Sequence, residues 1–151
     1  MPVKPIPDGY HTATPYLIVD AAADAIEFYK KAFDATELMR MPGADGRIGH
    51  AEIQIGDSRI MLADEHPELG YRGPKALGGA GISLMLYVED VDKLFAQAIA
   101  AGGRERRPVE DQFYGDRNGT LQDPFGHVWT ISTHKEDLTQ EEVAARMPDG
   151  H

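Results

Sequence analysis

Residues 114–133, YGDRNGTLQDPFGHVWTIST, carry the strongest local structural signal in the chain. Within them, residues 123–126 (DPFG) place a side-chain acceptor, a ring-fixed φ and a glycine at the first, second and fourth positions of a type I turn. The flanking runs 119–122 and 127–133 are rich in alternating apolar, β-branched and aromatic side chains, which is typical of strands. The stretch therefore predicts a β-hairpin.

The residues before this hairpin complete a unit of one helix and four strands. Residues 82–88 (ISLMLYV) predict a strand buried on both faces, and residues 90–101 predict an amphipathic helix that ends at Gly102. A further strand is expected over 104–113, ahead of the strands over 116–122 and 127–133. The predicted order is β, α, β, β, β.

The first half of the chain repeats this order. A doubly buried strand is predicted within 11–20, a helix over 21–33 with Asp20 as its N-cap, and strands over 36–41, 47–55 and 59–63. Val19 and Val88 are 69 positions apart, and Gly56 and Gly126 are 70 apart. Repetition at one spacing predicts a duplicated unit.

These patterns divide the chain into five segments. An extended, proline-containing arm is expected over 1–9, a first module over 10–66, a linker over 67–81 and a second module over 82–133. Residues 134–151 are expected to form a C-terminal helix, opened by a T-x-x-E capping box, and a tail.

Composition restricts the function. The 151 residues have a formal net charge of −10, which argues against nucleic acid or an anionic membrane as a partner. Neither a membrane-length apolar run nor a secretory-signal core is present, so a cytoplasmic location is predicted. The absence of cysteine excludes disulfides and thiolate metal sites.

The chain resembles the vicinal-oxygen-chelate superfamily of glyoxalases, bleomycin-resistance proteins and extradiol dioxygenases. The resemblance rests on the two repeats and on residues 26–29 (IEFY), 87–91 (YVEDV) and 123–127 (DPFGH). Residues 50–58 (HAEIQIGDS) and 111–119 (DQFYGDRNG) are similar to its PhnB-like branch. The resemblance implies an α+β fold, with two tandem βαβββ modules forming a glyoxalase-like open barrel, and a homodimer.

The same resemblance implies where a metal would bind. In the metal-using members the ligands come from the first and fourth strands of each module, and the register places those positions at Thr14, Met61, Ser83 and Ile131. A hard or borderline divalent cation prefers imidazole nitrogen or carboxylate oxygen, which none of the four supplies. The predicted cofactor and metal content is therefore none.

His50 and Glu52 are the candidate catalytic residues. Two residues apart on a predicted strand, they share one face, where they could act as acid and base, form part of an atypical metal site, or make a hydrogen bond on a solvated face. His66, His127 and His134 are expected to be solvated or at the surface.

Strand alternation also predicts a mostly apolar ligand-binding cleft with a few polar anchors, unless the same side chains only fill space between the modules. In the second module, Arg117 could present its guanidinium to an anion with Asp116 holding it, or the two could form an edge-strand ion pair. The predicted cleft residues are Thr14, Tyr16, His50, Glu52, Met61, Ser83, Met85, Tyr87, Gln112, Tyr114, Arg117, Trp129 and Ile131.

Two functions follow from these observations. The first is a metal-independent small-molecule binding protein that resembles the bleomycin-resistance members. The alternative is a lyase- or isomerase-type enzyme that uses His50 and Glu52.

Overall fold

The computed structural model describes residues 2–149. Within these residues, the eight strands and three of the four helices follow the predicted order. The strands are β1 (Tyr16–Val19), β2 (Thr36–Pro42), β3 (Ile48–Ile55), β4 (Ser58–Asp64), β5 (Ser83–Tyr87), β6 (Arg104–Asp111), β7 (Asp116–Gln122) and β8 (Val128–His134), and the helices are α1 (Ala22–Phe33), α2 (Pro74–Leu77), α3 (Val91–Ala101) and α4 (Gln140–Arg146).

The strands form two four-stranded mixed sheets with the same topology. The first has the order β1-β4-β3-β2 and the second β5-β8-β7-β6. In each sheet the first strand pairs in parallel with the fourth, and the other pairs are antiparallel. The prediction of two tandem βαβββ modules in an α+β fold is confirmed, and the sheets are open and curled rather than closed into a barrel.

One face of each sheet packs on a helix. In the first module the paired residues Leu17, Leu62 and Ala51 are all buried against α1. Helices α1 and α3 also pack against each other, so the hydrophobic core is continuous between the modules. The opposite side of each sheet, which we call the open face, lies away from the helices.

The prediction that β1 and β5 are buried on both faces is wrong. Leu17 and Val19 are buried, but Tyr16 is 46% exposed, and in β5 Met85 and Tyr87 are 48% and 62% exposed. These apolar side chains lie on the open faces, so their hydrophobicity is not explained by the core of one chain.

The N-terminus of α1 is not capped by Asp20, as was predicted. Its cap residue is Ala21, and the Asp64 carboxylate accepts hydrogen bonds from the amides of Ala22 and Ile48, each at 2.7 Å. Asp20 instead pairs with Lys75. Asp64 comes from the neighbouring strand, so this cap has no local signal.

The predicted turn at residues 123–126 forms, with the Gly126 amide donating to the Asp123 carbonyl at 3.2 Å. Gly126 has a φ of +95°, and a Cβ there would lie 2.8 Å from Pro74. His127, predicted at the surface, is buried, and its Nε2 donates to the Ile18 carbonyl oxygen of the first module at 2.9 Å.

The connecting segments are more ordered than their sequences indicate. The stretch expected to be an unstructured linker contains a single turn of 3-10 helix (Pro67–Leu69) and α2. The predicted capping box opens α4, with Thr139 and Glu142 bonding each other's amides. The last two residues of the predicted tail lie outside the described residues. Within residues 2–149, no helix is long and apolar enough to cross a membrane.

Candidate ligand-binding site

The open face of the first sheet carries the polar pair that the sequence singled out. In β3, Ala51 and Ile53 are buried against the helices, whereas His50 and Glu52 alternate with them on the open face. Tyr16 pairs with Met61, which in turn pairs with Glu52. Residues from β1, β3 and β4 therefore stand side by side, as the predicted register requires.

Tyr16, His50, Glu52 and Tyr10 form one chain of hydrogen bonds. Tyr16 Oη lies 2.8 Å from His50 Nδ1, and His50 Nε2 lies 2.9 Å from Glu52 Oε2. Tyr10 donates to Glu52 Oε1. Because a carboxylate only accepts, His50 donates from Nε2 to Glu52, and in a neutral imidazole Nδ1 then accepts from the Tyr16 hydroxyl.

The protonation of this chain follows from its contacts. The hydrogen bonds from Tyr10 and then His50 lower the pKa of Glu52, so its carboxylate is ionised at neutral pH. Burial, followed by the nearby Tyr71 and Glu52, raises the pKa of Tyr16. Its hydroxyl is therefore a proton donor, and a phenolate is disfavoured.

Tyr10 belongs to the site, although no pattern in the sequence indicated it. It lies just beyond the proline-containing arm, and Arg59 of β4 covers its ring, with Cζ 5.1 Å from the ring centroid. A Cβ on Gly9 would lie 2.5 Å from Arg59 Cζ, which shows how closely the arm follows the guanidinium. Only folding brings this segment onto the sheet.

A cavity of about 670 Å³ opens beside Tyr16. This size is typical of sites for small organic molecules. Asp45, Arg47, Glu65 and His66 contribute polar groups to its edge. Its apolar and aromatic lining comes from both strands and loops, namely Tyr16, Ile18, Ile48, Ala63, Leu69 and Tyr71.

Tyr71 and Leu69 were not predicted to contribute. They lie in the connection between the modules, which a β-bridge between His66 and Tyr71 folds back over the first sheet. His66, expected to be solvated, is half-buried at this bend. The only sequence signal was an aromatic residue, Tyr71, in a glycine- and proline-rich segment, and this by itself does not indicate a site.

Trp129 and Ile131 do not face a cleft, contrary to the prediction. Both are fully buried, and the Trp129 ring lies 4.7 Å from the Phe33 ring of α1, centroid to centroid. They pair with Leu84 and Leu86 on the helix side of the second sheet. The sequence count was displaced by one residue in β8, which moves side chains to the other face.

Arg117 also lies on the helix side. Its guanidinium makes two 2.9 Å hydrogen bonds to Asp92 of α3 and a 3.3 Å contact with Asp111. Asp116 points the opposite way and accepts hydrogen bonds from Tyr87 and from His134. The predicted Asp116–Arg117 unit is therefore wrong, because successive strand residues face opposite sides.

The other predicted residues of the second module are dispersed. Ser83, Met85 and Tyr87 alternate along the open face of β5. Tyr114 accepts a 3.0 Å hydrogen bond from Asn118. Gln112, in the same loop as Tyr114, contacts the carbonyl oxygen of Glu110 at the end of β6. None of these residues lines the cavity beside Tyr16.

The donor set does not fit the metal that the family resemblance implies. Thr14, Met61 and Ser83 offer hydroxyl and thioether groups, and Ile131 is buried on the other face of its sheet. Across residues 2–149 no three His, Asp or Glu side chains are grouped so as to hold a cation. His50 and Glu52 would need further ligands.

The paired βαβββ modules, their open faces and this site define a protein of the vicinal-oxygen-chelate class. The family model of the Glyoxalase/Bleomycin resistance protein/Dioxygenase superfamily matches residues 10–131, and the chain belongs to that superfamily. Its members typically bind small molecules and form dimers.

Individual relatives agree with this assignment. The uncharacterized protein Rv0887c of Mycobacterium tuberculosis is 43% identical over 137 residues, covering 89% of this chain and 81% of the relative. Protein PA1353 from Pseudomonas aeruginosa is 25% identical, with a TM-score of 0.68 over 84% of this chain and 100% of that one. The PhnB protein from Bacillus cereus, at 20% identity, shares the fold, with a TM-score of 0.64 over 82% and 99% of the two chains.

Proposed function

We propose that this protein binds a small organic molecule in the first-module cavity, without a metal ion. The observation that carries the proposal is the cavity of about 670 Å³ between Tyr16 and Tyr71, with the Tyr16–His50–Glu52 chain at its side. Tyr16 and Tyr71 remain 46% and 53% exposed. Exposed aromatic faces beside fixed hydrogen-bonding groups favour a ligand with a flat apolar part and a polar group.

The charges around the cavity narrow the ligand further. Asp45, Asp64 and Glu65 contribute carboxylates to its lining, and Asp45 already pairs with Arg47. Tyr16 can present a hydroxyl. This distribution supports a neutral or cationic ligand over an anionic one, because three acidic residues and a single arginine line the cavity.

A thermal-shift screen with aromatic compounds of differing charge tests the proposal. A ligand at one hundred times its Kd adds about 2.7 kcal/mol to the free energy of unfolding. Ile18→Trp should fill the cavity and abolish the shift. The matched control is Ile82→Trp, which adds the same side chain at a position 70% exposed and outside the cavity.

Two outcomes would contradict the proposal. One is a screen without stabilising compounds, and the other is equal binding by Ile18→Trp and Ile82→Trp. A stoichiometric divalent metal in protein purified without chelator would contradict the metal-free part. Trp129 fluorescence should not be the readout of binding, because this residue lies in the core.

Acid–base catalysis is the second candidate, and the hydrogen-bond chain favours it. An ionised Glu52 orients His50, whose Nδ1 is hydrogen-bonded to the hydroxyl of Tyr16, the member that lines the cavity. Tyr16 could then donate its hydroxyl proton to a bound substrate, and the phenolate left behind would take a proton back from water. NMR of each bound compound over time tests this, and Tyr16→Phe should stop turnover while retaining binding. Compounds that bind and stay unchanged would leave only the binding function.

We also propose a homodimer. The exposed apolar residues Met39 and Met41 on edge strand β2, and Met85 and Tyr87 on β5, support it, because a monomer gains nothing from exposing them. Light scattering at micromolar concentration should give twice the chain mass of 16.6 kDa. A mass equal to one chain would contradict the proposal.

A further inference from the structure

Three arginines of β6 converge on the open face of the second sheet. Arg104 and Arg106 both donate to the same oxygen, Oε1 of Gln122, the first at 2.9 Å. Arg107 donates to Thr120 Oγ1 at 3.4 Å. A register shift between positions 105 and 107 of β6 accompanies this arrangement, and successive strand residues would otherwise point to opposite faces.

These guanidinium groups have no carboxylate partner. In the described part of the chain, Arg40, Arg47, Arg117 and Arg146 each form an ion pair, and none of the three β6 arginines does. Glu105, between them, pairs with Leu121, which is buried on the helix side. Two positive groups sharing one neutral amide oxygen repel each other unless an anion lies between them.

The floor beside the arginines is made of neutral hydrogen-bonding groups. The hydroxyls of Thr120 and Thr130 lie 2.9 Å apart and are buried. Two ladder positions further along, Asn118 pairs with Ser132, whose Oγ is fully buried without a hydrogen-bond partner within residues 2–149. Buried hydroxyls are normally satisfied, and an ordered water can satisfy this one.

We propose that this surface, formed by Arg104, Arg106, Arg107, Thr120 and Gln122, binds an oxyanion, either phosphate or carboxylate. Planar guanidinium groups match both anions with paired hydrogen bonds, and an anion here would replace the shared Gln122 oxygen as their acceptor. The site is separate from the first-module cavity, which lies on the other sheet, and does not depend on its function.

An NMR titration tests this proposal. Wild-type protein is titrated with inorganic phosphate, and in a second arm with acetate, while chloride keeps the ionic strength constant. We expect saturable shifts of backbone amides over 104–107 and 120–122 in at least one arm. The arm with the tighter binding identifies the preferred oxyanion.

Substitutions locate the site. Arg104→Gln combined with Arg106→Gln should weaken binding about tenfold or more, because two charge-assisted contacts are lost. Arg72→Gln is the matched control, since Arg72 is also exposed and forms no ion pair in the described structure. Gln keeps the length and polarity of most of the side chain.

Three results would overturn the proposal. They are non-saturating shifts that chloride reproduces, saturable shifts located away from residues 104–107 and 120–122, and equal weakening by Arg72→Gln. If the double variant did not fold, the location of the wild-type shifts would decide the question alone. If the three arginines served only to prevent edge-to-edge association of β6 with another strand, neither phosphate nor acetate would bind saturably.

Discussion

The hydroxyl of Tyr29, in the first module, donates a 2.6 Å hydrogen bond to the carboxylate of Asp123, in the turn of the second module. Asp123 also accepts from the Trp129 indole and from the amides of Phe125 and His127, each at 2.9 Å. The carboxylate is 4% exposed. Four donors stabilise a buried charge without a basic partner, and they tie the two modules together.

Asp123→Asn should destabilise the protein by about 2–4 kcal/mol, because the amide nitrogen would face the Trp129 N–H and leave it unpaired. Urea unfolding followed by Trp129 fluorescence measures the change. Asp57→Asn, an exposed substitution of the same kind, should stay within about 0.5 kcal/mol. Equal effects of the two substitutions would refute the structural role of Asp123.

Glu37 should make unfolding pH-dependent under acid conditions. Its hydrogen bond from Arg40 holds the pKa of Glu37 at about 2. A lowered folded-state pKa means that the stabilisation is present above the ordinary value and is lost as pH falls toward 2. The side chains are 22% and 33% exposed, so we expect less than about 1 kcal/mol.

Arg40→Gln should therefore flatten the dependence of the unfolding free energy on pH between pH ~5 and ~3. Adding Glu37→Gln to that variant should change the slope little further. Arg72→Gln, at an unpaired arginine, should keep the wild-type slope. If the pH dependence of the unfolding free energy were the same in Arg40→Gln as in the wild type, Arg40 would not be the cause of the low pKa of Glu37.

His134 should titrate above its ordinary pKa. Hydrogen bonds to Asp116 and then Asp137 raise the pKa of His134, and Tyr87 also donates to Asp116. A raised folded-state pKa means that this contact stabilises below about pH 6.5 and weakens as pH rises through the folded value. The amides of Lys135 and Glu136 both donate to the Gly115 carbonyl. As the contact weakens at higher pH, their hydrogen exchange with solvent should speed up by more than base catalysis alone produces.

NMR titration of the His134 ring checks this prediction. Asp137→Asn, at an exposed position, should lower the measured pKa, and Asp116→Asn should lower it further. A ring that titrates at or below the ordinary histidine value would be inconsistent with the observed contacts. So would a pKa that neither substitution moves.

Tyr10→Phe should raise the pKa of Glu52, because the hydrogen bond from Tyr10 is the largest cause that lowers it. The low pKa stabilises the fold above the ordinary glutamate value, and that contribution is lost as pH falls. Carbon-13 NMR of the glutamate carboxyl groups measures the shift. Tyr71→Phe, which leaves every bond to Glu52 intact, is the control, and a Glu52 pKa that Tyr10→Phe does not move would remove Tyr10 from the site.

The order of elements, the duplication and the DPFG turn could all be predicted from the amino-acid pattern alone. These depend on residue periodicity, ring-fixed φ angles and glycine, which act within a few residues. Strand alternation was also sufficient to place His50 and Glu52 together on the open face. The same alternation placed Trp129 and Ile131 on the wrong face of the second sheet. No local feature determined the register of β8, and an error of one residue moves every side chain to the opposite face.

Which distant groups meet depends on how the two modules fold and pack. Asp64 caps α1, Tyr10 bonds Glu52, Tyr71 lines the cavity, and the β6 arginines share Gln122 through pairing between strands. Such contacts join residues far apart in the chain, so no local pattern carries them. These contacts follow from the packing of a helix on one face of each sheet, which leaves the other face open.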